Sequence, residues 1–348
     1  MNPIFVTSCL RSFAVRVCIL LAIVLGATGR VLAESSPACD LNGVERIVAI
    51  GDVHGAFDRL TGILTSAGLI DAKGSWAGGK THLVQLGDVV DRGPDSRKAL
   101  DLLHRLDGEA ARAGGAVHML LGNHEVARIL GDLRFATPGE YAAFASSDSE
   151  ELRERYLKTT KVADRDEFLK KTPLGLLEMR AAFGRRGNYE WVRRLNTVVR
   201  INGVLFVHGG ISPAVANFSC EQINNTVRKE LSDDLEKTRE TPLASLVARE
   251  DGPLWYRGLA QLSDGDETAF NDLLGRLQAK AIVIAHTVTI DGRTHVRFNG
   301  RLFQIDTGMQ PAYVQGGRAS ALEIVGDTFT AIYEDRRDAL NAPGDHRQ

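Results

Sequence analysis

Cysteine is scarce in this chain of 348 residues: Cys9, Cys18, Cys39 and Cys220 are all there is. Neither Cys39 nor Cys220 heads a Cys-x5-Arg loop or has a histidine near it, and no serine-nucleophile motif occurs, so the residues that form covalent phosphoryl or acyl intermediates are lacking. Basic excess is lacking too. Lys and Arg total 42 against 44 Asp and Glu, a net charge of −2. Without a clustered cationic surface to displace phosphate counterions, nucleic acid is excluded as a partner. There is no internal repeat, no low-complexity tract and no long Pro/Gly linker that would argue for a second independent domain. The charged fraction of 25% and apolar fraction of 44% are those of a folded globular protein.

A long apolar run is also missing. Arg11 and Arg16 precede Val17 to Leu25, followed by Val31-Leu-Ala33 and then Glu34. That run is well short of the roughly 18 apolar residues that a membrane span needs. Its basic lead and small residues predict a cleavable signal over 1–33, with export to the periplasm or medium and no stable membrane insertion after cleavage; an uncleaved anchor is the alternative. Cys18 has no lipobox-like lead. Removing 1–33 takes away three Arg and no acid, leaving 39 basic against 44 acidic residues, or −5. Cys39 and Cys220 then remain. In an oxidising compartment they are a candidate disulfide, against the alternative of two separately buried thiols.

Three apolar runs end in the same way. Arg46 to Ile50 is followed by Gly51-Asp-Val-His-Gly55, Thr81 to Leu86 by Gly87-Asp-Val-Val-Asp-Arg-Gly93, and Ala116 to Leu121 by Gly122-Asn-His-Glu125. Each reads as a strand, a glycine and then metal-ligand side chains. Helical spacing follows the first through Phe57, Leu60, Ile63 and Leu64, and the second through Ala99, Leu102, Leu103 and Leu106, where Pro94 sits in a first turn. From Gly131 to about Leu195 the composition shifts to charged helical segments, clearest at 150–157 and 174–183. This predicts an inserted cap over 131–195 bordering the site, or else a solvated helical excursion. The second half carries Asn202-Gly203, Asp291-Gly292 and Asn299-Gly300 between apolar runs, each a hairpin signal. Val198 to Ile201 should pair with Val204 to Val207 and deliver His208. Glu221 to Glu236 reads as one amphipathic helix, Ala281 to Ala285 as a strand ending at His286, and 301–305, 321–325 and 329–333 as an antiparallel set. The main domain is expected over 34–340, with 341–348 a frayed tail.

Asp52 and His54 alternate across one residue and can face one side of an extended strand end. A carboxylate with an imidazole suits a borderline divalent metal. Gly51-Asp-Val-His-Gly, Gly87-Asp-Val-Val-Asp-Arg-Gly, Gly122-Asn-His-Glu and His208-Gly-Gly, in that order, resemble the signature of the phosphoprotein phosphatase family of binuclear metallophosphoesterases. The continuations Glu125 to Phe135 and Gly252-Pro-Leu-Trp-Tyr-Arg-Gly258 resemble its Shewanella-like protein phosphatase branch. The resemblance implies an α/β calcineurin-like metallophosphoesterase fold, two packed mixed β-sheets flanked by helices. It further implies that Asp52 and His54 hold one metal, that Asn123, His208 and His286 hold another with His295 the fallback for His286, and that Asp88 bridges them. No ligand is a thiolate, so manganese, or iron or zinc, is favoured over copper(I). A metal-bridging hydroxide would attack phosphorus directly, His124 would be the general acid oriented by Asp91, and Arg92, Arg257 and Asn123 would bind phosphate. The expected activity is hydrolysis of phosphate monoesters, on phosphorylated protein, peptide or small molecules. Symmetrical cleavage of dinucleoside polyphosphates and a non-catalytic metal- or phosphate-binding module are the rivals. The Ser-Ala-Pro-Asn-Tyr-Cys motif of the eukaryotic Ser/Thr enzymes is absent, so the phosphorylated side chain stays open.

Overall fold

The computed structural model describes residues 38–160 and 162–340. The expected signal over 1–33 and the tail over 341–348 lie outside the described residues. Apolar residues that alternate along short strands build two six-stranded sheets. One has the order β12 (Arg337–Leu340), β11 (Thr328–Tyr333), β10 (Ser320–Val325), β2 (Arg46–Ile50), β3 (His82–Gln85), β4 (Ala116–Met119). The other runs β1 (Asp40–Leu41), β5 (Val198–Ile201), β6 (Val204–Val207), β7 (Ala281–Ile284), β9 (Leu302–Gln304), β8 (His295–Arg297). Period-two alternation explains the layers. In β2, Ile47 and Ala49 join Val84, Val199, Phe206, Val283 and Phe303 in a dry core between the sheets, while Val48 and Ile50 face the other way, into a core shared with the helices. Phe303 stacks on Phe329 across that inner layer, ring centroids 4.4 Å apart.

Helices α1 (Phe57–Ser66) and α2 (Ser96–Arg112) return the chain between parallel strands, burying Leu60, Ile63 and Leu64 from the first and Ala99, Leu102, Leu103 and Leu106 from the second. Helix α3 (Asn123–Leu130) starts directly after β4 and stops at Gly131, whose φ of +91° suits a left-handed cap. Four helices follow: α4 (Pro138–Phe144), α5 (Ser149–Thr160), α6 (Arg165–Lys171) and α7 (Leu176–Ala182). The last is shorter at its start than the spacing predicts, because Gly175 takes φ +89°. The expected single helix over 221–236 is two, α8 (Cys220–Leu231) and α9 (Leu235–Glu240). Ser232 breaks it, turning its hydroxyl back onto the Arg228 carbonyl at 2.6 Å. Short α10 (Gly258–Gln261) and α11 (Glu267–Leu277) complete the set. No helix among the described residues is long and apolar enough to cross a membrane.

The Asn202-Gly203 hairpin forms in the expected register, Val198 opposite Val207. The later strands do not form one antiparallel set. β9 pairs parallel with β7 and antiparallel with β8 through the Asn299-Gly300 turn, whereas β10 and β11 belong to the other sheet. Asp291-Gly292 is not a hairpin between neighbours, since β7 and β8 are separated by β9. The expected disulfide is absent: Cys39 and Cys220 are free thiols brought together where β1 meets α8. The Cys220 thiol donates to the Cys39 carbonyl at 3.1 Å, and burial pushes both thiols up, so neither is a thiolate at neutral pH.

Candidate metal centre and active site

Three strands of each sheet, parallel to one another within it, deliver side chains to one site. β2 delivers Asp52 and His54, β3 delivers Asp88, Asp91 and Arg92, β4 delivers Asn123 and His124 at the start of α3, β6 delivers His208, β7 delivers His286, and β9 delivers Asp306. Carboxyl ends of parallel strands are where open α/β sheets place their ligands. His54, Asp88, Asp91, Arg92 and His286 all have positive φ, between +49° and +71°. Non-glycine residues rarely accept that conformation, which costs about 1–3 kcal/mol each, and it persists only where surrounding bonds impose it.

Those bonds are visible. The buried Glu125 carboxylate accepts the backbone N–H groups of Asp88 at 2.8 Å, Val89 at 2.9 Å, Val90 at 3.2 Å and Gly122 at 2.9 Å. Gly122 must be glycine, because a Cβ there would stand 2.1 Å from Asp88 Oδ1. His54 Nδ1 lies 2.9 Å from the Val90 carbonyl and His208 Nδ1 lies 2.8 Å from the Leu86 carbonyl. A carbonyl only accepts, so each Nδ1 carries a proton and each Nε2 is turned toward the central oxygen atoms.

Asp88 is the centre. Its Oδ2 lies 3.3 Å from His208 Nε2 and 3.8 Å from the Nε2 atoms of His54 and His124. His54 Nε2 is also 3.8 Å from Asp52 Oδ2, and Asn123 Oδ1 is 3.0 Å from His208 Nε2. Two groups of metal-competent atoms share this carboxylate: His54, Asp88 and His124, and Asp88, His208 and His286. Gaps of 3.8 Å are too long for hydrogen bonds. His286 Nε2 is buried with no hydrogen-bond partner. Burial first, then the neighbouring His208, depresses the His286 imidazole to about 2, and burial depresses His54 to about 4, so both rings are neutral donors. Burial, with repulsion from Asp306 and Asp88, drives the Asp52 carboxyl up, and burial drives Asp306 to about 6. Neutral imidazoles with free Nε2 atoms among crowded carboxylates suit divalent cations. Asp306, whose Oδ2 is buried without a partner, escaped the sequence reading because Ile305-Asp-Thr-Gly308 contains no second ligand type to flag it.

His124 adjoins this centre. Its Nδ1 is 2.7 Å from Asp91 Oδ2, and although burial alone would lower its pKa, Asp88 and the Asp91 hydrogen bond raise it above the ordinary histidine value. Arg92 Nη2 reaches to 3.5 Å from His124 Nε2. The Arg92 guanidinium is held 3.7 Å from the Tyr313 ring and 5.0 Å from Phe135, and its buried Nε has no protein partner. Arg257 Nη1 donates to the His286 carbonyl at 2.8 Å and to Thr287 Oγ1 at 3.1 Å, which ties it to the loop that carries His286. His295, on β8, is in neither group of clustered ligand atoms and is paired with Asp291 at 2.9 Å.

The pattern of the calcineurin-like phosphoesterase family matches residues 45–289. An uncharacterized protein of Schizosaccharomyces pombe is 32% identical over 292 residues, covering 83% of this chain and 80% of its own length. Shewanella-like protein phosphatase 2 of Arabidopsis thaliana is 30% identical over 327 residues, covering 86% and 81%. Among solved structures, a cold-active protein-tyrosine phosphatase from a psychrophilic Shewanella species superposes with a TM-score of 0.67 at 27% identity, covering 88% of this chain and 83% of that one. Family membership accounts for the two mixed sheets with flanking helices and implies divalent metals at the Asp/His cluster. The chain belongs to the calcineurin-like phosphoesterase family, on its Shewanella-like protein phosphatase branch, and is a phosphatase of the phosphoric monoester hydrolase class.

Proposed function

We propose that the enzyme removes phosphate from phosphorylated protein or peptide side chains in one displacement, with His124 as general acid. The observation that carries this reading is the placement of the His124–Asp91 pair against the same carboxylate, Asp88, that joins the two clusters of candidate ligands. Asp52, His54 and Asp88 would hold one cation, and Asp88, Asn123, His208 and His286 the other, manganese by donor type, with iron or zinc the alternatives. When bound, such a pair polarises the phosphoryl group and activates water near neutral pH.

The chain's own residues do the rest. Asp91 holds Nδ1 of His124, which points Nε2 toward the space above Asp88 and keeps it protonated for delivery to the departing oxygen. Arg92, clasped between two aromatic rings, offers its unpaired Nε and its Nη2 to phosphoryl oxygens in that space. No thiolate or activated hydroxyl is needed, in line with the two protonated cysteines. The rings of Phe135 and Tyr313 beside Arg92, together with the likeness to a protein-tyrosine phosphatase, support phosphotyrosine among the substrates. A panel of phosphotyrosine, phosphoserine and phosphothreonine peptides assayed with and without added manganese tests this. Metal-dependent phosphate release from peptides is the expected result; cleavage of a symmetrical dinucleoside polyphosphate with no peptide turnover would overturn it. We further propose export by the signal over 1–33. Amino-terminal sequencing should find Glu34 first, and a retained Met1 would refute that.

A further inference from the structure

Two charged side chains remain, buried behind the acid and outside the roles given above. Arg128 lies on α3, four residues after His124, and Glu140 comes from α4 in the helical segment after Gly131; they are 3% and 0% exposed. Arg128 sends Nε and Nη2 to Asp91 Oδ1, at 2.9 and 2.6 Å, and its Nη2 also meets Glu140 Oε1. Glu140 Oε1 in addition takes the Ser96 hydroxyl and the backbone N–H of Asp91 at 3.1 Å, while its Oε2 takes the Thr137 N–H at 2.9 Å. The result is an unbroken buried chain from His124 through Asp91 and Arg128 to Glu140.

The two oxygens of Asp91 have separate tasks. Oδ2 faces His124 and Oδ1 faces Arg128, on a residue whose backbone is held at φ +71°. A carboxylate fixed at one oxygen by two guanidinium donors cannot swing about its own axis, so the other oxygen stays aimed at Nδ1. Arg128 in turn is fixed because Glu140 takes the second proton of Nη2 and Met179 Sδ lies 2.8 Å from Nη1. A buried guanidinium between two carboxylates is poor evidence for stability, since desolvating three charges offsets most of their attraction. Outer partners that hold a catalytic ligand's orientation are a better account.

Resting on the reading of His124 as general acid, we propose that Arg128 and Glu140 are positioning residues for proton delivery, acting through Asp91, and that the helical segment after Gly131 thereby reaches the chemical step. Glu140→Gln removes the charge that fixes Arg128 and leaves Asp91 and His124 in place. Its kcat should fall on the order of 10- to 100-fold for alkyl phosphates, whose leaving groups need a proton, and by no more than about threefold for p-nitrophenyl phosphate, which does not. A merely structural role would lower both alike. Bound metal, measured by elemental analysis, should be unchanged. His124→Ala is run on the same substrates: if it shows no dependence on the leaving group, the general-acid reading fails, whereas a steep dependence there and equal losses or none in Glu140→Gln overturns the positioning role alone. Should Glu140→Gln not fold, Ser96→Ala removes the hydroxyl that donates to the same carboxylate and accepts the Asp91 N–H at 3.1 Å, leaving that N–H its bond to Glu140, and must give a smaller loss with the same leaving-group bias.

Discussion

Glu125→Gln isolates how the centre is held open for its ligands. The carboxylate accepts four backbone N–H groups, two on each oxygen: Asp88 and Gly122 on Oε2, Val89 and Val90 on Oε1. The amide of Gln keeps one acceptor oxygen and turns the other into a donor. Two buried N–H groups then face an NH₂. At about 1–3 kcal/mol for each unsatisfied buried donor, the loss is about 2–6 kcal/mol, with the volume of the side chain unchanged. It falls on the loop that holds Asp88 at φ +55°, which relaxes toward ordinary backbone geometry once the bonds weaken. A domain whose total stability is about 5–15 kcal/mol should show this as a clear drop in the denaturation midpoint of the metal-free protein. Divalent metal should recover part of the loss, because ligation by Asp88 favours the native loop. Chemical denaturation with and without metal reads both effects. An unchanged midpoint with unchanged metal affinity would falsify the role of Glu125 as the brace of the Asp88 loop.

Further outcomes follow from the site. Asp88→Asn should weaken both metal sites together, and elemental analysis that found two tightly held ions in this variant would contradict its shared position. Arg92→Ala should slow monoester hydrolysis on the order of tenfold to a hundredfold, as about 1–3 kcal/mol of paired donors is lost, and slow a bis-aryl phosphodiester far less; parallel losses on the two substrates rule out the assignment. The raised pKa of His124 keeps the acid form populated above the ordinary histidine range of about 6.5. Asp91→Asn removes a negative partner of that cation, so the alkaline limb of the pH–kcat profile should move to lower pH. A limb that moves up, or stays in place, shows that another group sets it.

The local signals were strong where ligands cluster in sequence. Asp52 with His54, Asp88 with Asp91 and Arg92, and Asn123 with His124 each sit within a few residues of an apolar run and a glycine, so strand, turn and chemistry are written side by side. Strands β2, β3 and β4 are parallel for the same reason: helical spacing between them leaves only a crossover connection. The second sheet was not legible in this way. The turn signals at Asn202-Gly203 and Asn299-Gly300 are true, but they do not say that β6, β7 and β9 lie parallel, and only that arrangement puts His208, His286 and Asp306 at one edge. Long-range partners were equally hidden. Nothing in the spacing of Arg128 and Glu140 shows that they meet behind Asp91, nor that Arg257 Nη1 would bond to the His286 loop, nor that Tyr313 would cover Arg92. Sequence by itself marked the candidate ligands that cluster beside apolar runs, because ligand type and strand period are local properties. Tertiary structure decided which of them meet and what orients them, because burial, strand order and the bonds that impose positive φ at the centre are set by contacts between segments tens to hundreds of residues apart.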